Sequence, residues 1–187
     1  MKKESNFKLK LNWKPSVFHK QTVRKTISQT LWKKIRLQVL DMENRTCYTC
    51  GFVPQTEEDI KKLHVHEIEE YHMNGGSEQL CILSGLNLIC EKCHAFHHWG
   101  RTVSVLPKEK IESLIEHFLK VNQCTKDDFM NHYRDVKEGK RNEFLKLLKQ
   151  PKKVPDMRNS VVKFTIEGEI PYKDEVIKQL EKKGLYT

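Results

Sequence analysis

Two cysteine pairs, Cys47-x-x-Cys50 and Cys90-x-x-Cys93, carry the chemistry most legible in this chain. Each pair sets two thiolates on one tight turn, and two such turns together supply the four sulfurs that tetrahedral zinc prefers. The 39 residues between the pairs exceed the spacing of a simple zinc ribbon and leave room for a strand, a loop and a second strand. A second group of ligating side chains lies in and just beyond that interval. Six of the nine histidines fall between positions 64 and 98, five of them in the runs Leu63-His64-Val65-His66-Glu67-Ile68 and His94-Ala95-Phe96-His97-His98. Four cysteines suffice for a closed structural site, so histidines and a carboxylate beside them point to a second, open metal site that can do chemistry. Cys81 and Cys124 belong to neither pair and are expected as small buried apolar residues.

The elements that would position these groups can be read from periodicity. Residues 7–13 alternate apolar and polar, the pattern of a short strand. Residues 28–44 place Leu31, Ile35 and Val39, with Trp32 and Leu40, on one face of an amphipathic helix. Ser28 is its expected N-cap, and Trp32 is expected in the core. A loop over 55–59, a strand over 63–68, a loop at Gly75-Gly76-Ser77 and a strand with a turn over 80–89 follow. Residues 91–99 are expected as a short helix carrying the second cysteine pair at its start and closed by Gly100. Two further helices over 107–121 and 125–149, a basic linker over 151–158, a strand over 160–166 and a helix over 172–183 complete the chain. The fold class is α+β. Four segments are expected: a basic N-terminal arm (1–27), the module with the zinc turns (28–104), a helical extension (105–150), and a linker leading to a C-terminal strand and helix (151–187).

Charge is concentrated. Residues 1–40 hold eleven Lys or Arg against Glu4 alone, while the remaining 147 residues hold 23 basic and 24 acidic side chains. All of the net +9 therefore lies in the N-terminal fifth. Such a region suits a phosphate backbone, where cations displace condensed counterions. Lys8, Lys10, Lys14, Lys20, Arg24, Lys25, Lys33, Lys34 and Arg36 are the expected DNA-binding residues, joined by Arg101 after the histidine run. The mean hydropathy of −0.68 and the lack of a long apolar run exclude a membrane span and favour a cytoplasmic setting. There, CxxC pairs act as metal ligands before they act as disulfides.

With these residues in view, residues 32–100 resemble the HNH, or ββα-metal, nucleases. The resemblance rests on Trp32-x-x-Ile35-Arg36, Cys47-x-x-Cys50-Gly51, Leu63-x-Val65-His66-Glu67-Ile68, and Leu86-x-x-x-Cys90-x-x-Cys93-His94-x-x-x-His98. It is greatest to a bacterial and phage subset with a His-Glu dyad and four zinc-binding cysteines. It implies a zinc-stapled ββα-metal core and a metal-dependent endonuclease that hydrolyses phosphodiester bonds in DNA, expected to be double-stranded. Cys47, Cys50, Cys90 and Cys93 would hold structural Zn2+. His66, His94 and His98 would hold one catalytic divalent cation (Mg2+, Mn2+, Ni2+ or Zn2+).

Glu67 stands where the family usually has a histidine as general base, so the base role is open among Glu67, His66 and His64. An unperturbed glutamate near ~4.3 suits neutral proton abstraction less well than a histidine near ~6.5, unless burial raises it. Asn87 lies three residues before Cys90, whereas the family's middle asparagine lies five before, where Gly85 stands. Asn87 is expected to cap a turn, and His97 to be exposed or to contact a phosphate. Two other functions fit the same residues. One is a zinc-stabilised DNA-binding module without catalysis. The other is an interaction or inhibitor protein on this scaffold, with a protein partner bound through residues 105–187.

Overall fold

The computed structural model of the chain describes residues 6–12, 14–73, 76–149 and 159–187. The fold is mixed α+β, with a three-stranded sheet in the order β1-β2-β3. In chain order the elements are a 3-10 turn at Ser16–Phe18, α1 (Val23–Thr26), α2 (Gln29–Met42), α3 (Glu57–Ile60), β1 (Leu63–His72) and β2 (Glu78–Cys90). Then come α4 (Glu91–His97), α5 (Trp99–Val105), α6 (Lys108–Asn122), α7 (Lys126–Leu148), β3 (Val161–Ile166) and α8 (Lys173–Lys182). The five residues between β1 and β2 permit only antiparallel pairing. β3 lies parallel to β2 with Glu78 opposite Val161 and Leu83 opposite Ile166. Trp13, Gly75 and the 151–158 linker lie outside the described residues, as do the side chains of Phe144, Leu147 and Leu148.

The chain groups into two compact units, each gathered from three stretches. The first comprises Met1–Trp13, Thr46–His64 and Ile89–Phe144. Its core is aromatic. Phe118 of α6 lies 5.3 Å from Phe7, 5.4 Å from Phe96 and 5.0 Å from Phe129, and Phe96 stacks on Trp99 at 4.9 Å. Offset and edge-on aromatic pairs of this kind add to the energy of burying their area. The helical extension thus encloses the inner face of α4, which presents Cys93 and Phe96 to the core.

The strand expected over 7–13 does not form across the described residues of that segment. Its alternation persists, with Leu9 and Leu11 buried and Lys8 and Lys10 exposed, but the backbone bonds to side chains instead of a ladder. The Leu9 N–H donates to Asn122 Oδ1 at 2.9 Å, and the Leu11 N–H to His132 Nε2 at 3.1 Å. Period-two burial requires only extended backbone against a core, and helix side chains can satisfy that backbone as well as a strand can.

The second unit comprises Lys14–Arg45, Val65–Leu88 and Leu145–Thr187. Ser28 caps α2 by accepting from the Leu31 N–H, and Leu31, Trp32, Ile35, Val39 and Leu40 are buried, as the periodicity predicts. Trp32 is a core residue with the Arg24 guanidinium 5.4 Å from its ring centre. Gln21 secures β3 by accepting from the Val162 N–H at 3.0 Å and donating to the Ser160 carbonyl at 3.1 Å. Gly168 is required by close approach, since a Cβ there would lie 1.9 Å from the Ser84 carbonyl oxygen. Val17, Phe18, Val23 and Ile27 are buried, so this basic segment is part of the packed fold.

Other expectations give way for local reasons. Residues 57–60, most of them in the loop expected over 55–59, form the short helix α3, capped by Thr56, whose hydroxyl accepts from the Asp59 N–H. Asn87 lies inside β2 and does not cap a turn. The helix expected over 91–99 breaks at His98, whose φ of −126° and ψ of 33° are not helical, and Gly100 sits within α5. Cys81 is buried but polar in its contacts, donating to Glu69 at 3.6 Å, and Cys124 is only half-buried.

Candidate metal centre and histidine cluster

The first cysteine pair sits on a turn closed by two backbone hydrogen bonds. The Gly51 N–H donates to the Cys47 carbonyl at 2.9 Å, and the Cys47 N–H to the Phe52 carbonyl at 2.9 Å. Gly51 takes φ +75°, a conformation other residues adopt only at a cost, which lets the chain double back behind Cys50. The second pair spans the junction of β2 and α4, with Cys90 at the N-cap and Cys93 on the buried face. The Glu91 N–H donates to the Lys62 carbonyl at 2.8 Å and ties this junction to the chain just before β1.

The four sulfurs lie within 4.8 Å of one another, with Cys50 and Cys90 3.6 Å apart. A tetrahedral zinc with bonds of ~2.3 Å requires sulfurs about 3.8 Å apart. The Cys90 N–H donates to Cys47 Sγ at 3.2 Å, the type of bond that steadies a thiolate. Hydrogen bonds from Cys47, then from Cys90 and Cys93, hold Cys50 well below the ordinary thiol range. All six cysteines are free. The four together could bind a structural metal such as zinc, because their number, spacing and enclosure match a closed site.

Histidine rings form the second group. His94 and His98 stand at the end of α4 in the first unit, and His66 stands on β1 in the second. His94 and His98 meet edge to face with ring centres 4.8 Å apart, across the break that ends α4. Thr102 holds that break with its hydroxyl proton, shared between the Ala95 carbonyl at 2.9 Å and the His98 carbonyl at 3.2 Å. His64, two residues before His66 on β1, stacks on His94 at 5.0 Å and 14°. His97 departs from its expected exposure. It is half-buried, its Nδ1 accepts from Asn12 Nδ2 at 2.7 Å, and burial followed by the neighbouring His98 pushes it down to about 4.

Glu67 belongs to a different environment. Adjacent strand residues point to opposite faces, so a regular β1 groups Glu67 with Glu69 and Tyr71 and puts His64 and His66 on the other side. Glu67 Oε1 accepts from the Arg24 N–H at 2.8 Å. Burial, then the charge of Glu69, push its carboxyl up to about 7. Glu69 itself accepts from Lys14 at 2.7 Å and from the Tyr71 hydroxyl at 2.6 Å. Lys14 is consequently committed to an enclosed ion pair within the chain.

The remaining basic positions divide by exposure. Lys8, Lys10, Lys20, Arg24, Lys25, Lys33, Lys34 and Arg101 are exposed, while Arg36 is half-buried. Sequence reading missed three partners: Asn12 for His97, Lys14 for Glu69, and His117, whose Nε2 lies 3.2 Å from Cys93 Sγ. Only contacts distant in sequence reveal them, and no motif spacing marks any of the three. No helix among the described residues is long and apolar enough to cross a membrane. Comparison of the chain with protein-family models, with curated proteins and with solved structures finds no match.

Proposed function

We propose that this chain is a metal-dependent endonuclease of the HNH type that hydrolyses phosphodiester bonds in DNA. The observation that carries the reading is the gathering of His64, His94 and His98 in the first unit, with the His94 ring centre 5.0 Å from that of His64 and 4.8 Å from that of His98, apart from four cysteines that form their own cluster. A chain needing zinc only for stability has no use for a second set of donors that remains open to solvent. In this reading His94 and His98 hold one divalent cation, with His66 as the third ligand that the resemblance implies. Such a cation stabilises the charge that builds on phosphoryl and leaving oxygens.

The chain's own groups accept the proton of the attacking water. Glu67 has the proton affinity for this, pushed up to about 7. His64 has the position, stacked on His94. We assign the base to His64, because a base must first stand within reach of the water it deprotonates, and β1 turns the Glu67 carboxyl to its opposite face. Exposed Lys20, Arg24, Lys25, Lys33 and Lys34 supply phosphate contacts in the second unit, as do Lys8, Lys10 and Arg101 in the first.

The test is cleavage of supercoiled plasmid at low salt with Mg2+, Mn2+ or Ni2+, run beside His94→Ala. Nicked or linear product from the wild-type chain alone supports the reading. Retained DNA binding without cleavage under every cation would replace it with a zinc-stabilised binding module.

A further inference from the structure

His117 is the one histidine of the helical extension that reaches a cysteine of the metal cluster. It sits on α6, next to Phe118, the centre of the first unit's aromatic core. Packing of Phe118 against Phe96 of α4 fixes the two helices together, and Cys93 lies on the buried side of α4 three residues before Phe96. The Nε2 of His117 then stands 3.2 Å from Cys93 Sγ, within reach of an N–H···S hydrogen bond.

We propose that His117 donates a ring N–H to the Cys93 thiolate of the four-cysteine metal site, so that α6 completes the shell around the metal. This rests on the reading of the four cysteines as zinc ligands. Four thiolates around one dication leave two net negative charges in an enclosed place, which hydrogen-bond donors must offset. The backbone supplies one donor, the Cys90 N–H to Cys47 Sγ at 3.2 Å. His117 supplies another from a helix that the motif itself does not contain. Zinc prefers four ligands and has them in the cysteines, so the imidazole acts on a ligand and not on the metal. Outer partners of this kind are worth 10–100-fold in metal affinity. Through this bond, residues beyond 105 hold the metal as well as the core.

The experiment follows zinc transfer from purified full-length protein to a chromogenic chelator, for wild type, His117→Gln and His117→Leu. Gln can present an N–H where Nε2 stands, whereas Leu fills space without donating. Leu should weaken zinc retention by about 10–100-fold, and Gln should recover most of it. Equal retention in all three chains, or equal loss in both variants, would reduce His117 to a packing neighbour and overturn the proposal.

Wild-type protein loaded with cadmium-113 gives a second reading that does not depend on a variant folding. A scalar coupling from the metal to the His117 ring proton through Cys93 is the expected result. A one-bond coupling to the ring nitrogen would make His117 a direct ligand, against the proposal. Wild-type protein that binds no metal would remove the zinc reading as well, an outcome distinct from the failure of the Leu and Gln comparison.

Discussion

Cys47, Cys90 and Cys93 are buried and Cys50 half-buried, whereas His66 and His94 are half-buried and His98 is exposed. Each helix-borne member, Cys93 in one group and His94 in the other, stands on α4 beside its neighbour, yet the two face different surroundings. Enclosure suits a metal that holds a fold, because a closed shell keeps water and competing ligands away. Partial exposure suits a metal that must meet a substrate, because open coordination positions are where chemistry happens. One turn of helix can therefore serve both purposes, since successive residues lie about 100° apart around its axis.

The largest expected effect comes from the enclosed group. Cys50→Ser should abolish zinc binding and unfold the module built on the cysteine turns, because binding energy for such a site, about 10–16 kcal/mol for structural zinc, is folding energy. Zinc content together with a circular-dichroism melt measures this. A variant that melts like wild type without metal would erase the contrast between the groups. His94→Ala should do the reverse, leaving zinc content and melting close to wild type while removing cleavage. Loss of zinc in that variant would place His94 with the cysteines.

A third change tests the support the two groups share. Phe118→Ala removes the ring that meets Phe7, Phe96 and Phe129, and should cost about 3–5 kcal/mol in urea unfolding. An effect below 1 kcal/mol would mean that α4 is held by its metal alone.

His64→Gln removes the ring's proton-accepting nitrogen, and should slow cleavage at least ~10²-fold while leaving zinc content unchanged. Full activity there, with a comparable loss in Glu67→Gln, would transfer the base to the carboxylate face. Smallest is the loss of two phosphate contacts. Lys33→Ala with Lys34→Ala should lower the slope of log affinity against log salt by about 1.8, with any cleavage pattern preserved. Substitution is the suitable probe because deleting residues 1–25 would remove Leu9, Leu11, Val17, Phe18 and Val23 from the core. An unchanged slope would assign these lysines to solubility.

The sequence by itself determined what local periodicity and ligand spacing can encode. Ser28 and the stripe from Leu31 to Leu40 specify α2 because cap and face lie within a few turns of one another. Cys47-x-x-Cys50 and Cys90-x-x-Cys93 specify a four-sulfur cluster because the valence of the metal demands four donors. His94 and His98 could be paired from their spacing of four, whereas the place of His66 beside them came from the resemblance alone. Tertiary structure decided everything that depends on who lies opposite. The alternation of Leu9 and Leu11 records burial but not its partner, and the partners turned out to be Asn122 and His132. Lys14 counted as one more cation until Glu69 was placed beside it. Glu67 had the proton affinity of an ordinary carboxylate until burial was known. His117 had no meaning until Phe118 packed on Phe96. Charge, proton affinity and ligation are pair properties set by distance, and the distance between residues far apart in the chain is fixed only when the core closes.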